Sequence, residues 1–137
     1  MIYKKQKSNN NNISNKKVTY HNRTDIVYDD IPIKKIKKAK KGKHGHFHVI
    51  ADEVDGKYIS LGLTSDDPES TRNRKMHPVY ESNNILGRMH RSAEINNKDV
   101  FDSNNANFKV DVDTANKARE KAARRKARYI EEKAKKK

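Results

Sequence analysis

From residue 46 the chain reads HFHVIADEV, then Asp55-Gly56, then KYISLGLTS. Apolar and polar residues alternate through much of both runs, the period of a strand with one buried face. Asp-Gly suits the two left-handed positions of a tight type I′ turn. The pattern predicts a β-hairpin over residues 46–65. A second hairpin is predicted from MHPVYE and ILGRMHRS, turning at Asn83-Asn84, with Pro78 holding its first strand to a sheet edge. VTYHNRTDIVYDDIPI has β-formers for one short strand, and EINNKDVFDSNNANFKVDV for one or two more among turns. DDPESTRNRK, residues 66–75, reads as a loop.

From Asp113 or Thr114 the pattern changes. DTANKAREKAARRKARYIEEKAKKK lacks Gly and Pro, opens on good N-cap residues and predicts one long helix. Its apolar positions are almost all Ala, with Tyr129 and Ile130 the exceptions, so it is expected to bury little. It would lie weakly on the strands or project as a basic rod. Residues 1–17, rich in Asn and Lys and without period, read as a disordered arm. The expected organisation is that arm, a small β domain over 18–112 and a basic helix over 113–137. Four to six short strands with close turns make the class mostly β (α+β), a small antiparallel barrel with an added helix.

Composition narrows the partners. Only 32% of the 137 residues are hydrophobic and 36% are charged, which limits the core to one small domain. The net charge of +14 favours an anionic partner, because Lys and Arg gain affinity by releasing counterions from phosphates. No apolar run is long enough to span a bilayer and no helix has a bulky apolar face, so a membrane partner is not expected. The absence of Cys excludes disulfides and thiolate nucleophiles and suits a reducing compartment. With no apolar signal core near the N-terminus, a cytoplasmic protein is expected.

The histidines of the first hairpin are the densest chemistry. In a regular ladder around the Asp55-Gly56 turn, Val54 faces Lys57, Ile50 faces Leu61, His48 faces Leu63 and His46 faces Ser65. His44, His46 and His48 then share one face, and Thr64 points to the other beside Phe47 unless a bulge re-aims it. Three readings compete. His46, His48 and Glu53 resemble the first metal motif of cupins, but the glycines are misplaced and the second motif is missing, so no metal is expected. The histidines also suit a polar strand surface, with Thr64-Ser65 entering a turn. The third reading is a ribonuclease site.

The stretch GKHGHFHVIADE…GKYISLGLTS resembles the MazF/PemK toxins, and especially ToxN-like toxins in Lys57-Tyr58 and Leu63-Thr64-Ser65. The resemblance implies an SH3-like barrel and a cytoplasmic, metal-independent endoribonuclease toxin from a mobile element. It further implies an RNA or protein antitoxin and possible homodimerisation. It assigns the hydroxyl pair to Thr64 and Ser65. The basic partner falls near Lys43, His44 or His46, where MazF-like toxins carry Arg. Such chemistry uses the 2′-hydroxyl of RNA as nucleophile and needs proton transfer plus donors to the charged phosphorane. His46 suits proton transfer because imidazole titrates near neutrality, so His46, Thr64 and Ser65 are the candidate catalytic residues. Candidate nucleic-acid contacts are Lys43, His44, His48, Lys57, Arg72, Arg74, Lys75, His77, Arg88, His90, Arg91, Arg124 and Arg125. A turn at Asn83-Asn84 would also oppose His77 and His90 as an acid–base pair. Phe47, Tyr58 and Tyr80 offer stacking faces for unpaired bases. The alternative is a non-catalytic protein that binds RNA, DNA or a nucleoprotein complex.

Overall fold

The computed structural model describes residues 25–37, 46–82 and 84–136. The predicted N-terminal arm, Lys43 and His44 lie outside the described residues. The elements are β1 (Tyr28–Asp29), β2 (Ile33–Lys35), β3 (Phe47–Val54), β4 (Lys57–Thr64), α1 (Thr71–Arg74), β5 (His77–Glu81), β6 (Asn84–Met89), β7 (Glu94–Asn97), β8 (Val110–Asp111) and α2 (Val112–Lys135). The mixed α+β class and the long C-terminal helix stand as expected.

The main sheet is antiparallel with order β2-β3-β4-β6-β5, and β7 shares the edge of β4 that β6 occupies. Leu63 and Thr64 pair with Met89 and Arg88, while Lys57 to Ser60 pair with Asn97 to Glu94. The chain therefore runs beside β4 twice, with a break at 90–93. β1 and β8 form a separate ladder. The expected barrel is not formed. The segment after β7 returns along β2 through an Ile36–Phe101 bridge and the bonds Asp102 N–H to Lys35 O (2.8 Å) and Ala106 N–H to Ile33 O (2.7 Å). At the other margin, β5 reaches β8 through the Tyr80 N–H and the Asp111 carboxylate rather than by a ladder, so the sheet curls without closing.

The first hairpin turns at Asp55 and Gly56, whose φ values of 50° and 72° are the left-handed pair that its sequence predicts. Its register differs from the regular ladder. Val54 pairs with Lys57 and Asp52 with Ile59, but Ile50 then pairs with Ser60, Val49 with Leu61 and His48 with Gly62. Ala51 is the extra residue of a β-bulge, and every expected pair beyond it is off by one. The shift turns Val49 and Phe47 toward the core and His48 to the opposite face. Burial explains the choice, since a regular ladder would set imidazoles where Val49, fully buried, now packs.

Helix α2 starts at Val112, with the Asp111 carboxylate accepting from the Thr114 N–H at 3.1 Å as N-cap. The expectation that it buries little is corrected by Ala115, Ala118 and Ala122, all fully buried against the sheet. Small side chains let the helix backbone approach closely and complete a core of Ile33, Val49, Leu61, Val79 and Met89. Nor does it project as a rod. Lys126 meets Asp52 at 3.4 Å, the Tyr129 hydroxyl donates to Asp55 at 3.0 Å, and Lys133 pairs with the same carboxylate.

The second hairpin turns one residue earlier than its sequence predicts. Glu81 pairs with Asn84, which places Asn84 in β6, and Ser82 takes φ 53°. His77 accordingly faces Met89 and not His90. No helix among the described residues is long and apolar enough to cross a membrane.

Candidate active site

Where β3 begins and β4 ends, a cleft of about 370 Å³ is lined by His46, Thr64, Ser65 and Arg88 together with Phe47, Leu63, Val79, Leu86 and Phe108. The three candidate catalytic residues thus border one space, and so does one of the candidate cations. Phe47 and Phe108 meet edge to face with centroids 5.1 Å apart, and Leu86 is 42% exposed, so the apolar wall is open to solvent. The bulge changes how the polar residues are arranged. Counting on from the His48–Gly62 pair brings His46 opposite Thr64, which pairs in turn with Arg88. Thr64, expected beside Phe47, therefore joins the histidine face.

The loop after β4 is fixed by buried polar groups. Ser70 caps α1 by accepting from the Asn73 N–H at 3.1 Å. Asn73, 9% exposed, donates to Ser65 O at 2.9 Å and accepts from the Asp67 N–H at 2.8 Å. Arg88 donates from Nε to Asp66 at 2.8 Å and from Nη1 to Met76 O at 3.0 Å and Arg74 O at 3.3 Å. Its charge is matched by Asp66 and its guanidinium joins β6 to the loop, which fixes the wall of the cleft.

The other histidines divide by environment. His48 is 3% exposed, bonded through Nδ1 to Ser60 Oγ at 3.0 Å and packed edge to face on Phe101. Burial holds its pKa below the ordinary 6.5, with His46 and His90 pushing the same way and Glu94 opposing, so the ring is a neutral interior group and not a surface contact. His77 Nε2 lies 3.0 Å from the Thr114 hydroxyl and 3.9 Å from the Asp113 carboxylate. Its pKa is likewise lowered, chiefly by burial, against the pull of Asp113 and Asp111.

His77, Asp111 and Asp113 place one ligand-type atom each within 4.8 Å of one another. As a cation site they fit poorly. Asp111 accepts from the Thr114 N–H, the Thr114 hydroxyl and the Tyr80 N–H, and the site lies at the positive end of α2.

The remaining candidate cations are dispersed. Lys57 stands at the hairpin turn, at the other end of β4 from the cleft. Arg72, Arg74 and Lys75 are exposed on and after α1, and Arg91 is exposed in the break between β6 and β7. Arg124 pairs with Glu120 at 3.1 Å, and Arg125 is half-buried with one guanidinium nitrogen in the interior. Tyr58 packs edge to face on Phe101 under the Lys98 ammonium, away from the cleft. Phe108, Asp66 and Asn73 are missing from the sequence-derived set. Asn73 and Asp66 read as ordinary loop residues there, and Phe108 lies 44 residues from Thr64 in an Asn-rich stretch with no pattern. No protein-family model, curated protein or solved structure matches this chain.

Proposed function

We propose that the protein is a metal-independent endoribonuclease that cuts single-stranded RNA through the substrate's own 2′-hydroxyl. The observation that carries this reading is the gathering of His46, Thr64, Ser65 and Arg88 around one cleft whose apolar wall is Phe47, Leu63 and Phe108. A cleft of about 370 Å³ is of the size that receives one unpaired base, and the aromatic pair offers it an edge and a face. His46 serves proton transfer, and the Thr64 and Ser65 hydroxyls donate to phosphate oxygens. The net charge of +14 brings RNA to the surface. Action in the cytoplasm, restraint by an RNA or protein antitoxin and assembly as a homodimer belong to the same proposal.

The test is cleavage of a mixed-sequence RNA in EDTA, beside a His46→Ala, Ser65→Ala double variant. Products with 2′,3′-cyclic phosphate ends, lost in the variant, support the enzyme. Binding without cleavage, equal in both proteins, rejects it in favour of a nucleic-acid-binding protein. One observation favours that second reading: Arg88 is already held by Asp66 and two carbonyls, an arrangement suited to shaping a binding surface.

A further inference from the structure

One more histidine stands on the face of His46. His90 follows β6, and its backbone N–H donates to Gly62 O at 2.9 Å. Gly62 carries no side chain on this face, and the His90 ring fills the space. A Cβ on Gly62 would lie 2.9 Å from His90 Cδ2 and 3.5 Å from His48 Cε1. The ring therefore leans across β4 toward β3, which carries His48 and is entered from His46.

The histidines of this face differ in availability. His48 is buried and bonded to Ser60. His90 is half-buried, and its ring makes no hydrogen bond to a described residue; His46 is exposed. His90 also borders a second hollow of about 310 Å³, lined with Arg72, Met76, Arg91, Ser92 and Glu94.

We infer that His90 and His46 are the two proton-transfer groups of the proposed cleavage, with Arg72 and Arg91 holding an adjoining phosphate in the hollow beside His90. The inference rests on the ribonuclease reading. His90 takes the proton of the 2′-hydroxyl as the O2′–P bond forms. His46 gives a proton to the 5′-oxygen as the P–O5′ bond breaks. The products are a 2′,3′-cyclic phosphate and a 5′-hydroxyl, and exchange with water returns both rings to their starting states.

The surroundings of His90 suit the accepting role. Burial first, and then the nearby His46, lower its pKa from the ordinary 6.5; Glu94 on β7 raises it and Arg72 on α1 lowers it. His48 on β3 lies within electrostatic reach of both rings, and Arg91 follows His90 in the chain. A ring so placed is neutral at pH 7 and free to accept.

The experiment is the pH dependence of cleavage of a labelled single-stranded RNA by the full chain, His90→Gln, His46→Gln and Gly62→Ala. The wild type is expected to give a bell. Each Gln variant loses about 100-fold or more and one limb of the bell: the acid-side rise for His90→Gln, the alkaline fall for His46→Gln. Gly62→Ala, which displaces the His90 ring, loses rate while unfolding cooperatively. A His90→Gln protein that cleaves at the wild-type rate, or that slows with both limbs intact, overturns the inference and leaves the ribonuclease reading standing if His46→Gln is inactive. A wild type that binds RNA without cutting it overturns both.

Discussion

The His77 ring on β5 lies 3.0 Å from the hydroxyl of Thr114 on α2, and that hydroxyl donates to Asp111 at 2.7 Å. A hydroxyl has one proton, so His77 Nε2 must be the donor of the first bond, which fixes its tautomer. Thr114 is fully buried. Thr114→Val keeps the shape, strands the His77 Nε2–H without its acceptor and removes one of the three donors to Asp111, with an expected cost of about 1–3 kcal/mol in urea unfolding. Thr114→Ser should recover most of it. Equal stability of the valine variant would show that the relay does not hold α2 to β5.

His48, His77 and His90 all have pKa values lowered from 6.5, each chiefly by burial. The unfolded chain then binds more protons than the folded one in mildly acid solution, so stability rises with pH there. It is complete above 6.5 and declines as the pH falls toward the lower folded values. The urea midpoint is expected to drop between about pH 7 and about pH 5, and His77→Gln should flatten part of that slope. Asp29 and Asp55, held below 3.8 by Arg119 and Lys133, add a separate loss only in stronger acid. A midpoint unchanged down to about pH 5 would contradict the assignment.

A Cβ on Gly87 would come 2.6 Å from the Thr64 carbonyl oxygen, which as backbone can move only with the strand. Gly87→Ala should push β6 away from β4 beside the Thr64–Arg88 pair, at a cost of about 1–3 kcal/mol. Because both residues line the cleft, RNA affinity should fall as well. Thermal unfolding and RNA titration on the same protein check the two effects together. Undisturbed affinity would place the RNA elsewhere.

Asp55 receives both Tyr129 and Lys133 while sitting in the left-handed region. Asp55→Asn keeps a residue that tolerates that backbone and removes the charge. The expected result is faster amide exchange in the last turns of α2 with little change in the melting temperature, since exposed pairs add little to global stability. High salt should mimic the variant. If exchange is unaltered, the end of the helix is held by packing alone.

Ala118 is fully buried between α2 and the sheet. Ala118→Leu should lift the helix and cost about 1–3 kcal/mol, seen as a lower urea midpoint. A neutral substitution would mean that the interface has slack that the buried alanines do not suggest.

The two hairpins, their strand pairing partners and the long helix were legible because alternation, Asp55-Gly56 and the Ala-rich run are local signals. Register was not. Ala51 looks like any small strand residue, and its exclusion from the ladder is decided by which neighbours the core accepts, Val49 and Phe47 over His48. In β5–β6 the earlier turn separates His77 from His90, and the irregularity between Val79 and Tyr80 restores one place of the register. Barrel closure failed at the β5 margin of the sheet, where β5 meets β8 through the Asp111 carboxylate and not by a ladder, a long-range contact that no local pattern encodes. At the site, the hairpin alone set His46 opposite Ser65 but left Thr64 on the other face, and only the bulge at Ala51 brings Thr64 round to His46. Phe108 and the Asp66–Arg88 anchor required the three-dimensional path.

The seat of α2 also sets where the molecule can be handled. The helix ends beside the Asp55 turn, and the cleft lies at the opposite end of the same hairpin, roughly 25 Å away along eight residues of strand. A dye or a surface tether attached beyond the last turn would leave the cleft unobstructed. A reporter pair with one dye there and the other on an RNA end would read docking as a change in separation, without touching a residue that lines the cleft.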